Sequence, residues 1–99
     1  MQSIGLGKVT IATAGIPVPL STLTTFLKVH RIIVTYDPSD GATPYVYVKD
    51  KAGNKYAATS ITGSPIVIGG DESNQIVVAN YQLDSSANNT GAIVGIDVA

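Results

Sequence analysis

Short runs of β-branched residues, each ended by a cluster of turn-forming residues, constrain this chain more than any other feature of its sequence. Val and Ile number eleven each and Thr ten, whereas Leu numbers only five. Branched side chains are stiff at the first torsion and fit a pleated strand better than a helix. No apolar period of about 3.6 residues is sustained, as an amphipathic helix would require. The sequence therefore predicts an all-β fold.

Alternation and turn residues together place seven or eight short strands along the chain. Turn signals recur at intervals of about ten residues, which is typical of an antiparallel β-sandwich or jelly roll. We therefore predict one jelly-roll-like sandwich domain over residues 8–99. It follows a mobile arm over residues 1–7, which contains Gly5 and Gly7. The predicted strands cover residues 8–14, 16–20, 29–36, 44–49, 55–59, 66–68, 75–83 and 92–98.

Two of these strands have a distinctive sequence. The segment Ile16-Pro17-Val18-Pro19-Leu20 carries two prolines, which cannot donate ladder hydrogen bonds, so it is predicted to be an edge strand or an extended crossover. Residues 29–36 form the strongest strand. Their apolar side chains alternate onto both faces, which predicts a central strand covered on two sides.

Residues 44–49 and 55–59 form the clearest predicted hairpin. The intervening residues 50–54 fit a type I turn followed by a left-handed Gly53. Alternation assigns one face to the core, with Val46, Val48, Tyr56 and Ala58. It assigns the other face to the surface or an interface, with Tyr45, Tyr47, Lys49, Lys55 and Thr59.

The low charge of the chain bears on whether it acts alone. Only 13% of residues are charged, against about 25% in an average soluble domain, and the net charge is −1. One interpretation is a monomer whose surface is covered by Thr, Ser, Asn and Gly. The other, which we favour, is that much of the outer surface is buried against copies of the chain or other partners.

Several functional classes receive no support from the sequence. The chain has no Cys, so neither disulfides nor thiolate metal sites are expected. No basic leader followed by an apolar stretch is visible, so we expect synthesis in the cytoplasm without secretion. No apolar run reaches the length of a membrane helix, and no basic patch indicates nucleic-acid binding.

The titratable residues do not form a catalytic pattern. His30 is the single histidine and lies in mid-strand, where a structural hydrogen bond is the expected role. No serine lies in a nucleophile elbow, and the pairs Asp37/Asp40 and Asp71/Glu72 lack the spacing of a calcium loop. We therefore predict no enzyme activity, no metal and no cofactor.

Tyrosines supply the best candidate site. Tyr45 and Tyr47 share a strand face beside Lys49, and aromatic residues are enriched at the centres of protein interfaces. The alternative is a cross-strand ladder that stabilises its own sheet. We expect an interface formed by Tyr45 and Tyr47 together with the five residues Ile16, Pro17, Val18, Pro19 and Leu20.

From Lys8 onward the sequence resembles small structural proteins of tailed-bacteriophage particles, namely head decoration or cement proteins and head-fibre bases. The likeness lies in residues 9–15 running on to Leu20 and Ser21, in residues 45–48, and in the closing strand from Gly91 to Val98. It covers about nine-tenths of the chain in outline and contains no chemical motif. Residues 71–74 have no counterpart in it.

The resemblance implies a β-sandwich, often trimeric, that binds the major capsid protein on the outside of the capsid and reinforces its joints. It also implies a location on the virion surface and carries no catalytic residues. The alternatives are another virion module, such as a tail, adaptor or fibre-base protein, and a carbohydrate-binding sandwich. An open Tyr45/Tyr47 face would favour the carbohydrate-binding alternative.

Overall fold

The computed structural model describes residues 2–37, 44–56, 59, 63–70 and 73–99. Within these residues the chain is antiparallel β-structure, and its helices are two 3₁₀ turns of three residues each. The all-β prediction is confirmed, although the jelly-roll connectivity stays a prediction. The strands are β1 (Gln2–Ile11), β2 (Val18–Pro19), β3 (Lys28–Val29), β4 (Arg31–Tyr36), β5 (Val46–Asp50), β6 (Ile66–Gly69), β7 (Ile76–Val77), β8 (Tyr81–Ser85) and β9 (Thr90–Val98). In the same part of the chain, no helix is long and apolar enough to span a membrane.

The strands form three hydrogen-bonded groups. The four-stranded sheet has the order β1-β9-β4-β6, the small sheet has the order β2-β8-β5, and β3 pairs with β7. Side chains from the four-stranded sheet and the small sheet enclose one apolar core in a sandwich-like arrangement. Ile32 and Val34 of β4 meet Val48 of β5 and Leu83 of β8 in this core.

Residues 2–7 of the predicted N-terminal arm instead form the first part of β1. β1 pairs with β9 from Gln2, opposite Val98, to Ile11, opposite Thr90. Ile4 and Leu6 pack against the core, which gives this half of the strand apolar contacts that a mobile arm would lack. The strand also ends three residues earlier than predicted, at Ile11.

The hairpin turn is confirmed. The N–H of Gly53 donates to the carbonyl oxygen of Asp50 at 3.1 Å, and Gly53 has φ +88°, the left-handed conformation that glycine adopts without strain. The core positions Val46 and Val48 are fully buried, as predicted. Ala58 lies outside the described residues.

Two other hairpin positions differ from the prediction. Tyr56 is exposed, and its ring packs edge-on against Tyr81. Thr59 pairs with Val46 and is buried, because the register shifts by one residue after the Lys49–Lys55 bridge. A slip of one residue moves a side chain to the opposite face.

Residues 29–36 form the predicted central strand, but with a break. β3 ends at Val29, and β4 begins at Arg31 between β9 and β6. Side chains of β4 alternate between buried and half-buried, so both faces of this strand are at least partly covered.

Candidate interaction surfaces

His30 lies at the break between β3 and β4. Its side chain is buried, and its Nδ1 atom lies 3.2 Å from the carbonyl oxygen of Asn74. This position suits a structural histidine. Among the described residues, no three His, Cys, Asp or Glu side chains are grouped so that they could hold a metal ion.

Asp97 joins three strands of the four-stranded sheet. The hydroxyl of Ser3 donates to its Oδ1 atom at 2.6 Å, and Nε of Arg31 donates to its Oδ2 atom. The hydrogen bond from Ser3, followed by the interaction with Arg31, holds the pKa of this buried carboxyl below its usual value. Asp97 therefore fastens the start of β1 to β9 and β4.

Two further carboxylates also have structural partners. Asp37 forms an ion pair with Lys8, with 2.6 Å between Nζ and Oδ2. Asp50 accepts four hydrogen bonds within its own hairpin, and the one from the Asn54 side chain contributes most to lowering its pKa. The other acidic residues considered as possible calcium ligands lie outside the described residues, namely Asp40, Asp71 and Glu72.

Tyr47 differs from Tyr45, with which it was predicted to form an interface. Its side chain points to the outer side of the small sheet, yet it is only 7% exposed, whereas Tyr45 is 41% exposed. The two ring centres are 6.0 Å apart, and Nζ of Lys55 lies 4.6 Å from the centre of the Tyr47 ring. Of these two tyrosines, only Tyr45 offers substantial contact area to a partner. The open aromatic pair that would favour carbohydrate binding is therefore not formed.

Asp84 lies opposite Tyr47 in the small sheet and is completely buried. Its Oδ1 atom accepts hydrogen bonds from the N–H groups of Gly15 and Ser85, at 2.9 and 2.8 Å. Its Oδ2 atom accepts none from the described residues, and Nζ of Lys49 lies 3.8 Å away. Burial, followed by the charge of Asp84, raises the pKa of Tyr47 above its usual value. The bond from Gly15 holds the turn over residues 13–16 against the outer side of the small sheet.

The proline-bearing segment 16–20 is divided between surface and core. Val18 and Pro19 form β2, which pairs only with β8 among the described strands, so the edge-strand prediction is confirmed. Ile16 precedes it and is 65% exposed, and Pro17 is half-buried. Leu20, by contrast, is 2% exposed and belongs to the core, so it cannot serve as the interface residue that was predicted.

A cluster of exposed apolar residues lies where β3 pairs with β7, and we refer to Phe26, Leu27 and Val77 as the apolar end. Leu27 is 82% exposed, and the other two side chains are also exposed. They border a groove of about 320 Å³, whose lining includes Thr24, Lys28 and Ala79. The N–H of Val78 donates to the carbonyl oxygen of Leu27 at 3.0 Å, which fixes the backbone of this segment.

The apolar end was not predicted from the sequence, because Phe26 and Leu27 lie between the predicted strands 16–20 and 29–36. A signal was present, since two large apolar residues, Phe26 and Leu27, directly follow a segment with four hydroxyl residues. Adjacent residues of an extended segment point in opposite directions, so one core cannot bury both.

Comparison of the sequence with known protein families and with curated proteins finds no match.

Proposed function

We propose that this chain is a non-enzymatic structural protein of a tailed-phage particle, which binds the major capsid protein on the capsid surface and reinforces it. The observation that carries the proposal is the apolar end, where Phe26, Leu27 and Val77 are exposed beside a groove. Single exposed apolar residues are ordinary, but a cluster rimmed by polar residues is typical of protein-binding surfaces. The resemblance of the strands to decoration proteins supplies the identity of the partner.

The polar residues support a non-catalytic role. The four described aspartates each bond or pair with a neighbouring side chain or backbone group, and His30 contacts a backbone carbonyl. These groups hold strands and turns together. A nucleophile, a base and an orienting group would instead need to converge around an open cleft.

The protein would reinforce the capsid because it binds the assembled lattice and not the free capsid subunit. A protein that binds the assembled lattice and not the free subunit stabilises the lattice by mass action. The apolar end supplies the central contact in this proposal, and the exposed Tyr45 and Ile16 add area around it.

The test compares two variants on particles of the phage that encodes the chain. Phe26→Ser with Leu27→Ser removes the apolar end, and Val67→Ser removes a similarly exposed residue of β6 as the matched control. We expect both proteins to fold. The double variant should show reduced occupancy on particles, with genome release at lower temperature, and the control should behave like the parent.

Two outcomes would contradict the proposal. Full occupancy by the folded double variant would exclude the apolar end from the capsid interface. Equal heat resistance of particles with and without the protein would exclude the reinforcing role.

A further inference from the structure

The two edges of the four-stranded sheet are unequal. β6 is four residues long, follows Pro65 and ends in Gly69, followed by Gly70, and such short edges flanked by proline and glycine accept another strand poorly. β1 at the opposite edge is ten residues long. Its segment 2–7 contains neither a charged residue nor a proline. Among the described strands, β6 is therefore a protected edge, and β1 is an edge that pairs with β9 alone.

The hydrogen-bond ladder shows which backbone groups point to the open edge. The N–H and C=O of one strand residue point to the same side, and those of its neighbours point to the other side. The N–H of Asp37 donates to the carbonyl oxygen of Gly91, so odd-numbered residues of β9 point toward β4. Even-numbered residues of β9 point toward β1, and Ile4 bonds with its partner Ile96.

Ser3 and Gly5 flank Ile4, so their backbone N–H and C=O groups point away from β9. Both residues are exposed. A Cβ atom added at Gly5 would meet no atom within 4 Å, which shows open space on that face of the strand. The Ser3 hydroxyl is bonded to Asp97, so this stretch of the edge is held in place on the sheet.

We infer that a second copy of this chain pairs with this edge, β1 against β1 in antiparallel orientation, about a two-fold axis at Ile4. Ser3 then lies opposite Gly5 of the partner subunit. Each such pair exchanges two backbone hydrogen bonds, and the symmetry gives four. The two Ile4 side chains lie opposite each other at the centre, and the two four-stranded sheets become one.

Self-complementarity favours a second copy over a foreign strand. The residues whose backbone groups point outward, Ser3 and Gly5, are each other's partners in this register. Ile4 and Leu6 are half-buried at the rim of the core, and the added strand covers their exposed sides. No charged side chain lies within the paired segment, which covers residues 2–6 of each chain.

A bulge in β1 and the protected edge at β6 limit this contact to two chains. A bulge between Gly5 and Gly7, where Gly7 has φ +87°, ends the regular segment and keeps the pairing short. Because β6 is protected, β1 cannot add to it head-to-tail and close a ring. The pairing therefore gives a dimer in place of the trimer that the resemblance implies, and it rests on the edge geometry, not on the phage assignment.

The test measures amide exchange by NMR and sedimentation across a range of protein concentrations. In the parent chain, the amides of Ser3 and Gly5 should exchange more slowly as concentration rises. The Ile4 amide, which bonds to β9, should not change and serves as an internal control. Gly5→Pro removes an N–H that points away from β9, and should weaken the dimer about 100-fold. Gly5→Ala keeps that N–H and should change the dimer by less than about threefold.

Three results would overturn the inference. The first is a monomer at every concentration. The second is a dimer that persists in Gly5→Pro while the Ile4 amide stays protected. The third is protection of Gly5 that appears only when an unrelated extended peptide is added, since a foreign strand would then be the partner. If Gly5→Pro fails to fold, the concentration dependence of Gly5 exchange in the parent decides the matter.

Discussion

The outer side of the small sheet and the apolar end both carry large side chains that point away from the core, but the chain covers only one of them. On the small sheet, Tyr47 is nearly buried beneath Tyr45 and Lys55. At the apolar end, Leu27 remains almost as exposed as in an extended chain. Both regions carry large side chains with apolar surface, so their composition alone does not explain the difference.

A polar anchor lies beside the covered region. Asp84 accepts the N–H of Gly15 and thereby holds a turn against the small sheet. The segment before Leu27 bonds mostly within itself, as in the bond from the Thr22 hydroxyl to the carbonyl of Pro19. A loop folds over an outward surface where a buried acceptor compensates for the desolvation of its backbone. At the apolar end, the side-chain bonds between described residues are local, and Phe26 and Leu27 remain exposed.

The largest effect on stability is expected at Tyr47, and the matched substitution of Tyr45 should have a much smaller effect. We expect Tyr47→Ala to lower the free energy of unfolding by about 3 kcal/mol, because it removes a buried aromatic ring. Tyr45→Ala should cost less than about 1 kcal/mol. Urea denaturation of both variants measures the difference. Equal losses would mean that Tyr47 is as open as Tyr45.

Loss of the Asp84 carboxylate should have the second-largest effect on stability. Asp84→Ala leaves the N–H groups of Gly15 and Ser85 without an acceptor, which should cost about 2 kcal/mol. Asp84→Asn keeps an oxygen in place of Oδ1 and should cost less. Faster amide exchange at Gly15 in the Ala variant would show that the turn has been released. An unchanged exchange rate would contradict the anchoring role.

A smaller effect should appear at alkaline pH. The pKa of Tyr47 is raised in the folded state, so the folded chain holds the phenolic proton more tightly than the unfolded chain does. The stabilising contribution is complete below the unfolded pKa of about 10 and is lost as the pH rises through the folded value. Tyr47→Phe should therefore flatten the decline of stability above pH about 10. An identical decline in parent and variant would show that Tyr47 does not titrate differently in the folded chain.

The smallest effect on stability should occur at the apolar end. Leu27→Ser removes an exposed side chain that packs little in the isolated chain, so unfolding free energy should change by less than about 0.5 kcal/mol. Thermal melting checks this expectation. A large loss would place Leu27 within the fold and would remove the contrast between the two regions.

Local chemistry in the sequence was sufficient for much of the fold. Val46 and Val48 were assigned to the core by alternation, and the turn at Gly53 follows from the need for a left-handed residue. The prolines in 16–20 indicated an edge strand because proline lacks the N–H that an inner strand must donate. Each of these features depends on a residue and its immediate neighbours.

The sequence was sufficient to predict that the chain is all-β, where its main turns lie, and which side chains of β5 face the core. Contacts between distant segments were needed to show that residues 2–7 belong to β1, that Tyr47 is covered, and that Phe26 and Leu27 are exposed. Alternation distinguishes the two faces of a strand, but it carries no information about which distant segment covers the outward face. That depends on long-range bonds, such as Gly15 to Asp84 and Ser3 to Asp97, which join residues far apart in the chain.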